Sequence, residues 1–240
     1  MNDNLDVIII LSNKDWHNDL LQNLKKKFLT IEKNVKIKLF KDSDKFNYES
    51  LKNLNPKYIF VIHWGDKIGN DIWGNWETII FHMTDLPFGR GGSPLQNLIL
   101  LGKTDTKISA IQCNEELDSG DIYLKKDLKL SGSAQEIFLR AKDIILEMII
   151  EIVIKSPKPR PQLGKLTFFK RRKPSQSDMD NCIFGDINSW YDHIRMLDAD
   201  GYPHAYIEFN GMKIIFRSAK MESSILTSDV IIQPIDKENL

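Results

Sequence analysis

The chain is poor in cysteine and carries no excess charge of either sign. Its 240 residues include two cysteines, Cys113 and Cys182. Two are too few for a disulfide framework or a zinc cluster, so they indicate free thiols in a reducing compartment. The 33 Lys and Arg residues balance 33 Asp and Glu residues. A balanced charge argues against a dedicated nucleic-acid-binding protein, which usually carries a basic excess.

Long apolar runs are also missing. No run approaches the roughly 18 apolar residues that a membrane span needs. The N-terminal stretch MNDNLDVIIILSNKD holds the short apolar core VIIIL, without the basic segment and cleavage site of a signal peptide. These absences predict a cytoplasmic protein that does not bind membranes.

Common cofactor and metal motifs are absent as well. LSNKDW follows the first predicted strand, where a dinucleotide-binding protein has G-x-G-x-x-G. GRGG at residues 89–92 lacks the Lys-Ser/Thr of a phosphate-binding P-loop. There is no H-E-x-x-H or C-x-x-C, so we expect no metal site.

Buried strands alternate with helices in the first two thirds of the chain. DVIIILSN, YIFVIHW and TIIFHM are continuous apolar runs, and SPLQNLILLG reads as a helix with Ser93 as N-cap. Ser133 and Glu136 form a capping-box pair ahead of a long amphipathic helix. This pattern predicts an α/β fold with a Rossmann-like, mostly parallel sheet. Ligands of such folds bind at the carboxyl ends of the strands.

The amino-acid composition changes after residue 155. KSPKPRPQLGK carries three prolines and little apolar content, which indicates a linker or an extended crossing. Beyond it, short strands are joined across Asn210-Gly211, a strong hairpin signal. We therefore predict a catalytic domain over residues 1–155, a linker over 156–165 and a small, β-rich α+β subdomain over 166–240.

His82 is the leading candidate for chemistry. It ends the predicted strand TIIFHM and precedes a Gly-rich turn that lets a ligand approach the backbone. A structural histidine is the alternative. His63 also ends a strand and is a second candidate, whereas His17 lies in a polar helix start and is expected to be solvated.

A carboxylate loop, NEELDSGDI, spans residues 114–122. Asp-Ser-Gly-Asp is good chemistry for a solvated turn, which is the alternative interpretation. His82 and Asp118 are 118 − 82 = 36 residues apart, enough for one helix and one strand. We expect the two loops to meet at one sheet edge, where a carboxylate would hold the imidazole tautomer and raise its basicity.

Two motifs resemble those of the folate-dependent formyltransferases. HMTDLPFGRGGSP resembles the family's H-x-S-L-L-P-x-x-R-G-x-x-P signature, and ELDSGDIY resembles its L-D-x-G-D-I loop at matching separation. This resemblance covers roughly residues 1–155. FFKRRKPSQSDMD and the following WYDHIRMLDADGYPHAYIEFNGMKIIFRSA resemble the tail of the nucleotide-sugar N-formyltransferases.

The resemblance implies a donor and an acceptor. The donor is N10-formyltetrahydrofolate, a co-substrate, with no metal. The acceptor is the amine of a nucleotide-linked 4-amino-4,6-dideoxy sugar, foremost dTDP-4-amino-4,6-dideoxyglucose, in O-antigen and surface polysaccharide synthesis. A homodimer and no nucleic-acid partner are expected. The alternatives are a UDP-linked amino sugar, another amine acceptor, or a folate or sugar-nucleotide binding protein with weak catalysis.

The resemblance also implies site residues. His82 is the acid-base group and Asp118 orients it. Cofactor contacts are expected from loop residues at the strand ends: His63, Trp64, Gly65, Asp66, Lys67, Asn114, Leu117 and Gly120. Substrate contacts are expected from Arg90, Gly91, Gly92, Ser93, Lys170 and Arg171. Each of these has an alternative interpretation. Trp64 would pack in the core, Arg90 would pair with a carboxylate and fix the turn, and residues 170–172 would be a solvated charged run.

One position departs from the family pattern. The signature begins Asn-x-His, and its Asn amide helps to bind the formyl oxygen. Ile80 stands at that position here and donates no hydrogen bond. Another donor, with Thr84 and Asn97 as candidates, must replace it, or the oxyanion depends on His82 and backbone N–H groups.

Overall fold

The computed structural model describes residues 5–14, 17, 19–182 and 185–235. Within them the strands are β1 Asp6–Leu11, β2 Val35–Phe40, β3 Tyr58–Val61, β4 Thr78–His82, β5 Arg90–Gly91, β6 Asp105–Gln112, β7 Ile122–Lys129, β8 Phe168–Phe169, β9 Tyr206–Phe209, β10 Met212–Glu222 and β11 Ile225–Pro234. The helices are α1 Leu20–Thr30, α2 Tyr48–Lys52, α3 Asn70–Trp73, α4 Pro94–Leu100, α5 Ala134–Lys155 and α6 Ile187–Arg195, with 3₁₀ turns at Pro174–Ser177 and Met179–Asn181.

The chain divides into two compact units. The first comprises residues up to Arg90 together with Lys107–Leu128 and Arg140–Phe168, and the second comprises Gly91–Thr106, Lys129–Leu139 and the residues from Phe169 onward. The domain boundaries predicted at residues 155 and 165 stay predictions. None of the helices in the described part of the chain has the length and apolar character to cross a membrane.

A six-stranded sheet of order β2-β1-β3-β4-β6-β7 occupies the first unit, as far as the described residues show. β1 pairs in parallel with β2 and β3, and β3 pairs in parallel with β4. β6 is antiparallel to β4, with His82 opposite Ser109 in the register. The predicted α/β class with a mostly parallel, Rossmann-like sheet is confirmed.

The residue pattern explains this sheet. Every residue of β3 is buried, as a strand covered on both faces requires. Leu20, Leu24 and Phe28 recur at helical spacing and form the buried stripe of α1. His82 is the last residue of β4, so the sheet core fixes its backbone at the strand's carboxyl end.

A three-stranded antiparallel sheet of order β11-β10-β9 lies in the second unit. Asn210 and Gly211 both have positive φ, 50° and 74°, as the predicted hairpin turn requires. Asp186 caps α6 by accepting a hydrogen bond from the Ser189 backbone N–H at 2.9 Å. The predicted small β-rich element of the C-terminal part is therefore present.

Of the two predicted helix N-terminal caps, one is present in the structure and the other is not. The Glu136 carboxylate accepts from the Ser133 backbone N–H at 2.7 Å, as the capping-box prediction requires. Ser93 was expected to cap α4, but it has φ +50° and makes no side-chain cap bond. Its hydroxyl oxygen instead accepts the Arg172 backbone N–H at 3.0 Å. A tertiary partner has displaced the local capping bond.

Candidate active site

His82 is buried at the end of β4, with 7% of its surface exposed. Its Nε2 lies 2.8 Å from the Gly89 carbonyl oxygen. A carbonyl only accepts, so Nε2 carries a hydrogen and donates it. The other ring nitrogen, Nδ1, is then the basic nitrogen of the neutral ring. It faces the Asp118 carboxylate, whose Oδ1 is 3.5 Å away.

The turn after His82 is fixed by buried hydrogen bonds. The Ser109 hydroxyl donates to the Thr84 carbonyl at 2.7 Å and accepts the Leu86 backbone N–H at 3.4 Å. The Lys125 ammonium contacts both the Asp85 carboxylate and the Leu86 carbonyl. The Gly89 carbonyl, held in this way, is a rigid partner for the imidazole.

Asp118 has 7% of its surface exposed and a positive φ of 54°. It meets His82 as expected, but by a different route. β6 is antiparallel to β4, so the loop 113–121 starts beside Thr78, and the Cys113 N–H donates to the Thr78 carbonyl at 2.8 Å. The loop turns back toward His82. Burial, and then the Asp118 charge, raise the pKa of the Cys113 thiol to about 11.

Gln162 holds this loop and was missed in the sequence. Its amide nitrogen donates to the carbonyls of Asp118 at 2.9 Å and Gly120 at 2.8 Å. Its amide oxygen accepts two bonds from the Arg90 guanidinium, at 3.2 Å and 2.8 Å. One amide thus ties the backbone of the carboxylate loop to the turn that follows His82.

The stretch around Gln162, predicted as a linker, packs along these loops. Arg160 and Ile122 form a two-way backbone bridge, with N–H to carbonyl distances of 3.0 Å and 2.8 Å. The Thr167 hydroxyl accepts the Gly89 backbone N–H at 2.7 Å. Pro157, Pro159 and Pro161 remove three backbone donors from the predicted linker, and the Arg160 N–H between them donates to the Ile122 carbonyl.

The predicted substrate residues have structural contacts of their own. The Arg90 guanidinium donates to the Gln162 amide oxygen. This contact resembles the alternative role given above, in which Arg90 fixes the turn, except that the partner is an amide. A Cβ on Gly91 would lie 2.3 Å from the Phe169 carbonyl oxygen, so only glycine fits there. A Cβ on Gly92 would meet Arg171 at 2.5 Å. Lys170 and Arg171 are exposed. Their substrate roles, and that of Ser93, stay predictions.

The predicted cofactor residues divide into exposed and buried groups. Trp64 is half-buried and packs against the apolar core of the first unit. Gly120 is buried, and a Cβ there would lie 1.8 Å from the Gln112 carbonyl oxygen. The others on the two loops are exposed: Gly65, Asp66, Lys67, Asn114 and Leu117. Exposed loop residues at a strand end suit ligand contact, and this role stays a prediction.

His63 belongs to a second polar cluster that includes His17. The His63 Nδ1 is 3.4 Å from the His17 Nε2, and its Nε2 is 3.2 Å from the Met83 sulfur. The Ser12 hydroxyl contacts the His17 Nδ1. The expectation that His17 is solvated was wrong, because it is 1% exposed and its ring stacks on His63.

This cluster predicts acid sensitivity. Burial lowers the pKa of His17 to about 3, with a smaller effect from Lys142, and burial lowers that of His63 to about 3. Unfolded histidine titrates near 6.5. Between these values the unfolded chain binds more protons, so the free energy of unfolding falls as the pH falls. For His17 the slope is about 1.4 kcal/mol per pH unit well below its unfolded pKa.

Urea unfolding between pH 7 and pH 5 measures this effect. The variant His17→Asn keeps a polar group beside Ser12 but removes the titration, so its slope against pH is expected to be smaller than that of the wild type. Equal slopes for both proteins would contradict the buried, neutral state of His17.

Neither candidate replacement for the missing Asn offers a clear donor. The Asn97 amide donates to the carbonyls of Gly92, Ser93 and Lys170 at 3.1, 2.9 and 3.1 Å. The Thr84 hydroxyl donates to the Gly89 carbonyl at 3.3 Å. Ile80 is half-buried and packs on the core. Among the described residues no cluster of three or more His, Cys, Asp or Glu is placed to hold a metal ion.

Two family models match the chain. A model described as "Formyl transferase" matches residues 1–142. A second, described as "Methionyl-tRNA formyltransferase, C-terminal domain", matches residues 174–233. Together they cover both the His82–Asp118 region and the β9–β11 sheet.

Individual proteins give the same picture. A methionyl-tRNA formyltransferase of a Nitratiruptor species is 35% identical over 204 residues, which are 79% of this chain and 63% of that protein. The solved structure of a methionyl-tRNA formyltransferase from Clostridium thermocellum is 43% identical, with a TM-score of 0.88, and the match covers 96% of this chain and 100% of that one. The chain spans less than two thirds of the length of the first curated relatives it matches.

A sugar N-formyltransferase is a more distant neighbour. The enzyme from a Shewanella species has a TM-score of 0.70 and 17% identity, and the match covers 92% of this chain and 100% of that one. Identity this low shows a shared fold alone.

These findings contradict the predicted acceptor. The predicted nucleotide-sugar substrate was wrong, including its dTDP-linked form and its place in O-antigen and lipopolysaccharide synthesis. The expected absence of a nucleic-acid partner was wrong as well. The relatives at 35% and 43% identity and the C-terminal model are methionyl-tRNA formyltransferases. The charge argument failed because net charge averages over the whole chain. Residues 170–173, Lys-Arg-Arg-Lys, concentrate four positive charges in one place.

Proposed function

Because the chain belongs to the formyl transferase family, we propose that it transfers the formyl group of N10-formyltetrahydrofolate to the amino group of methionyl-tRNA. The observation that carries the acceptor is the 43% identity to the C. thermocellum methionyl-tRNA formyltransferase over that protein's whole length. The match of residues 174–233 to a methionyl-tRNA formyltransferase C-terminal model supports it independently.

The chemistry requires a base. The amine nitrogen forms a bond to the formyl carbon, the bond from that carbon to N10 breaks, and the amine loses a proton that N10 gains. We assign the proton transfer to His82 Nδ1, since Nε2 already holds a hydrogen toward the Gly89 carbonyl. The Asp118 carboxylate, 3.5 Å from Nδ1, then stabilises the positive ring.

The developing oxyanion requires a donor. Ile80 offers none, and the hydroxyl of Thr84 and the amide of Asn97 donate to carbonyls. The donors that remain are the His82 ring, whose Nδ1 carries a hydrogen once it has taken the proton, and backbone N–H groups. The Nε2–H stays on the Gly89 carbonyl throughout. A donor aimed at the oxyanion is a large term in acyl transfer.

An acceptor comparison tests the proposal. Purified protein is incubated with N10-formyltetrahydrofolate and one of three acceptors: methionyl-tRNA, uncharged tRNA with free methionine, or tRNA charged with another amino acid. Formylmethionyl-tRNA and tetrahydrofolate are expected in equal amounts with the first acceptor only. Intact methionyl-tRNA after prolonged incubation, with a folded protein, would overturn the proposal.

A further inference from the structure

A cleft of about 410 Å³ opens in the second unit. It lies among the end of α4, the two 3₁₀ turns after residue 173 and helix α6. Polar and apolar atoms both line it, and the side chains used below are Arg172, Gln176, Asn181, Cys182 and His193. A volume in this range suits a small-molecule group with several polar contacts.

Arg172 supplies the charge of this cleft. It is half-buried, and burial lowers its pKa. One guanidinium nitrogen donates to the Gln176 carbonyl at 2.6 Å. Within the described residues no carboxylate forms an ion pair with Arg172. A partly desolvated guanidinium without a carboxylate is costly unless an anion pairs with it.

The Asp178 carboxylate, between the two 3₁₀ turns, is engaged elsewhere. Asp178 accepts the Asp180 backbone N–H at 3.0 Å and the Asn181 amide at 2.7 Å, so it holds its own turn. A second amide hydrogen of Asn181 and the amide nitrogen of Gln176 remain as donors on the lining. The cleft therefore presents several donors and one fixed positive charge.

Cys182 and His193 complete the wall. The cysteine sulfur lies 3.8 Å and 3.9 Å from the two ring nitrogens of His193 and 3.3 Å from the Asp178 carbonyl. Burial raises the pKa of Cys182, and burial together with Arg172 lowers that of His193 to about 4. Near neutral pH the pair is thus an uncharged thiol beside a neutral imidazole, which suits a binding wall better than a nucleophile.

We propose that this cleft binds a phosphate group, with the Arg172 guanidinium as its counter-ion and the amides of Gln176 and Asn181 as further donors. The planar guanidinium matches two phosphate oxygens at once, and the surrounding neutral donors serve the others. The phosphate comes either from a small molecule or from a nucleic-acid backbone. The site does not rest on the proposed function, because every residue that forms it lies outside the His82–Asp118 arrangement.

Cys182 provides a reporter inside the cleft. Its alkylation by iodoacetamide, an uncharged reagent, is followed by mass spectrometry at pH 8 and constant ionic strength. Cys113 is buried with a pKa near 11, so it reacts far more slowly. Inorganic phosphate is expected to slow alkylation of Cys182, whereas chloride at the same ionic strength is not.

The variant Arg172→Gln is expected to raise the phosphate concentration for half-protection by about tenfold or more, as loss of a charge-assisted bond predicts. Arg172→Lys keeps the positive charge but loses the planar guanidinium. Its phosphate concentration for half-protection is expected to lie between those of the wild type and Arg172→Gln. Lys220→Gln, an exposed position outside the cleft, removes the same charge as a control. Each protein is compared with itself with and without phosphate, because Arg172 also influences the thiol.

No protection of the wild type, or equal protection of Arg172→Gln, would overturn the site. Protection by unfractionated tRNA that is lost in Arg172→Gln but kept in Lys220→Gln assigns the site to a nucleic-acid backbone. Protection by phosphate and pyrophosphate without protection by tRNA assigns it to a small molecule. Circular dichroism of each variant establishes that it is folded.

Discussion

Replacing His82 with alanine is expected to lower kcat for formyl transfer by about 10²- to 10⁴-fold, the loss that follows removal of a positioned acid-base group. The imidazole is held between the Gly89 carbonyl at 2.8 Å and the Asp118 carboxylate at 3.5 Å, and no neighbouring side chain duplicates it. The measurement is formylmethionyl-tRNA formation under single-turnover conditions, which isolates the chemical step.

The chain offers a matched control. His204 also faces a carboxylate, with its Nδ1 3.7 Å from the Asp198 Oδ1, but it lies in the second unit. His204→Gln is therefore expected to keep kcat close to that of the wild type. A His82→Ala enzyme within a factor of about 3 of the wild type would assign His82 the structural role that the sequence left open, since a lost acid-base group costs far more.

Asp118 is expected to act through His82. Asp118→Asn keeps the size of the side chain but removes the charge that stabilises the protonated ring. Its loss and that of His82→Ala should not add in the double variant, because two residues that act as one unit give strongly non-additive effects. Full additivity would indicate that the carboxylate serves the reaction independently of the imidazole.

Most of the fold was predictable because buried positions recur in the sequence with the period of the strand or helix that contains them. Continuous apolar runs gave the strands, and the spacing of Leu20, Leu24 and Phe28 gave α1. Strand direction leaves no such trace. β6 reads as a buried strand in either direction, and it proved to be antiparallel to β4. His82 and Asp118 meet because the loop 113–121 folds back, not because two parallel strands end at one edge.

The parts of the site that depend on tertiary contacts were not predictable. Gln162 lies in a proline-rich stretch without periodicity, and nothing in its neighbours indicates the four hydrogen bonds that its amide makes. His17 has polar neighbours in sequence, yet it is buried against His63. Local composition reports which residues lie next to a side chain along the chain, whereas burial depends on what packs over it.

The acceptor shows the limit of whole-chain quantities. Net charge predicts long-range attraction to nucleic acid only where the charges are evenly spread. A local run of positive charge such as residues 170–173 does not show in the net charge of the chain. The motifs around His82 and Asp118 predicted the formyl transferase family, which the match of residues 1–142 confirms. They carry little information about what the amine is attached to.

Gly120→Ala is expected to damage both stability and catalysis. A Cβ at this position would lie 1.8 Å from the Gln112 carbonyl oxygen, a distance that real Cβ atoms do not adopt. The loop must move, and the two bonds from the Gln162 amide to Asp118 and Gly120 are lost or lengthened. The free energy of unfolding should fall by about 1–3 kcal/mol, as overpacking predicts. Because Asp118 moves with the loop, kcat should fall about 10²-fold, the cost of a displacement near 1 Å.

Urea unfolding and the single-turnover assay measure the two effects. Gly185→Ala is the matched control, since a Cβ there would meet no atom within 4 Å. It should leave both quantities near the wild-type values. A Gly120→Ala enzyme that unfolds earlier but transfers formyl at the wild-type rate would separate Asp118 from the reaction. One that keeps its stability would show that the loop accommodates the methyl group without the close contact to Gln112. The combined loss is expected because the same loop backbone carries Asp118 and the buried glycine.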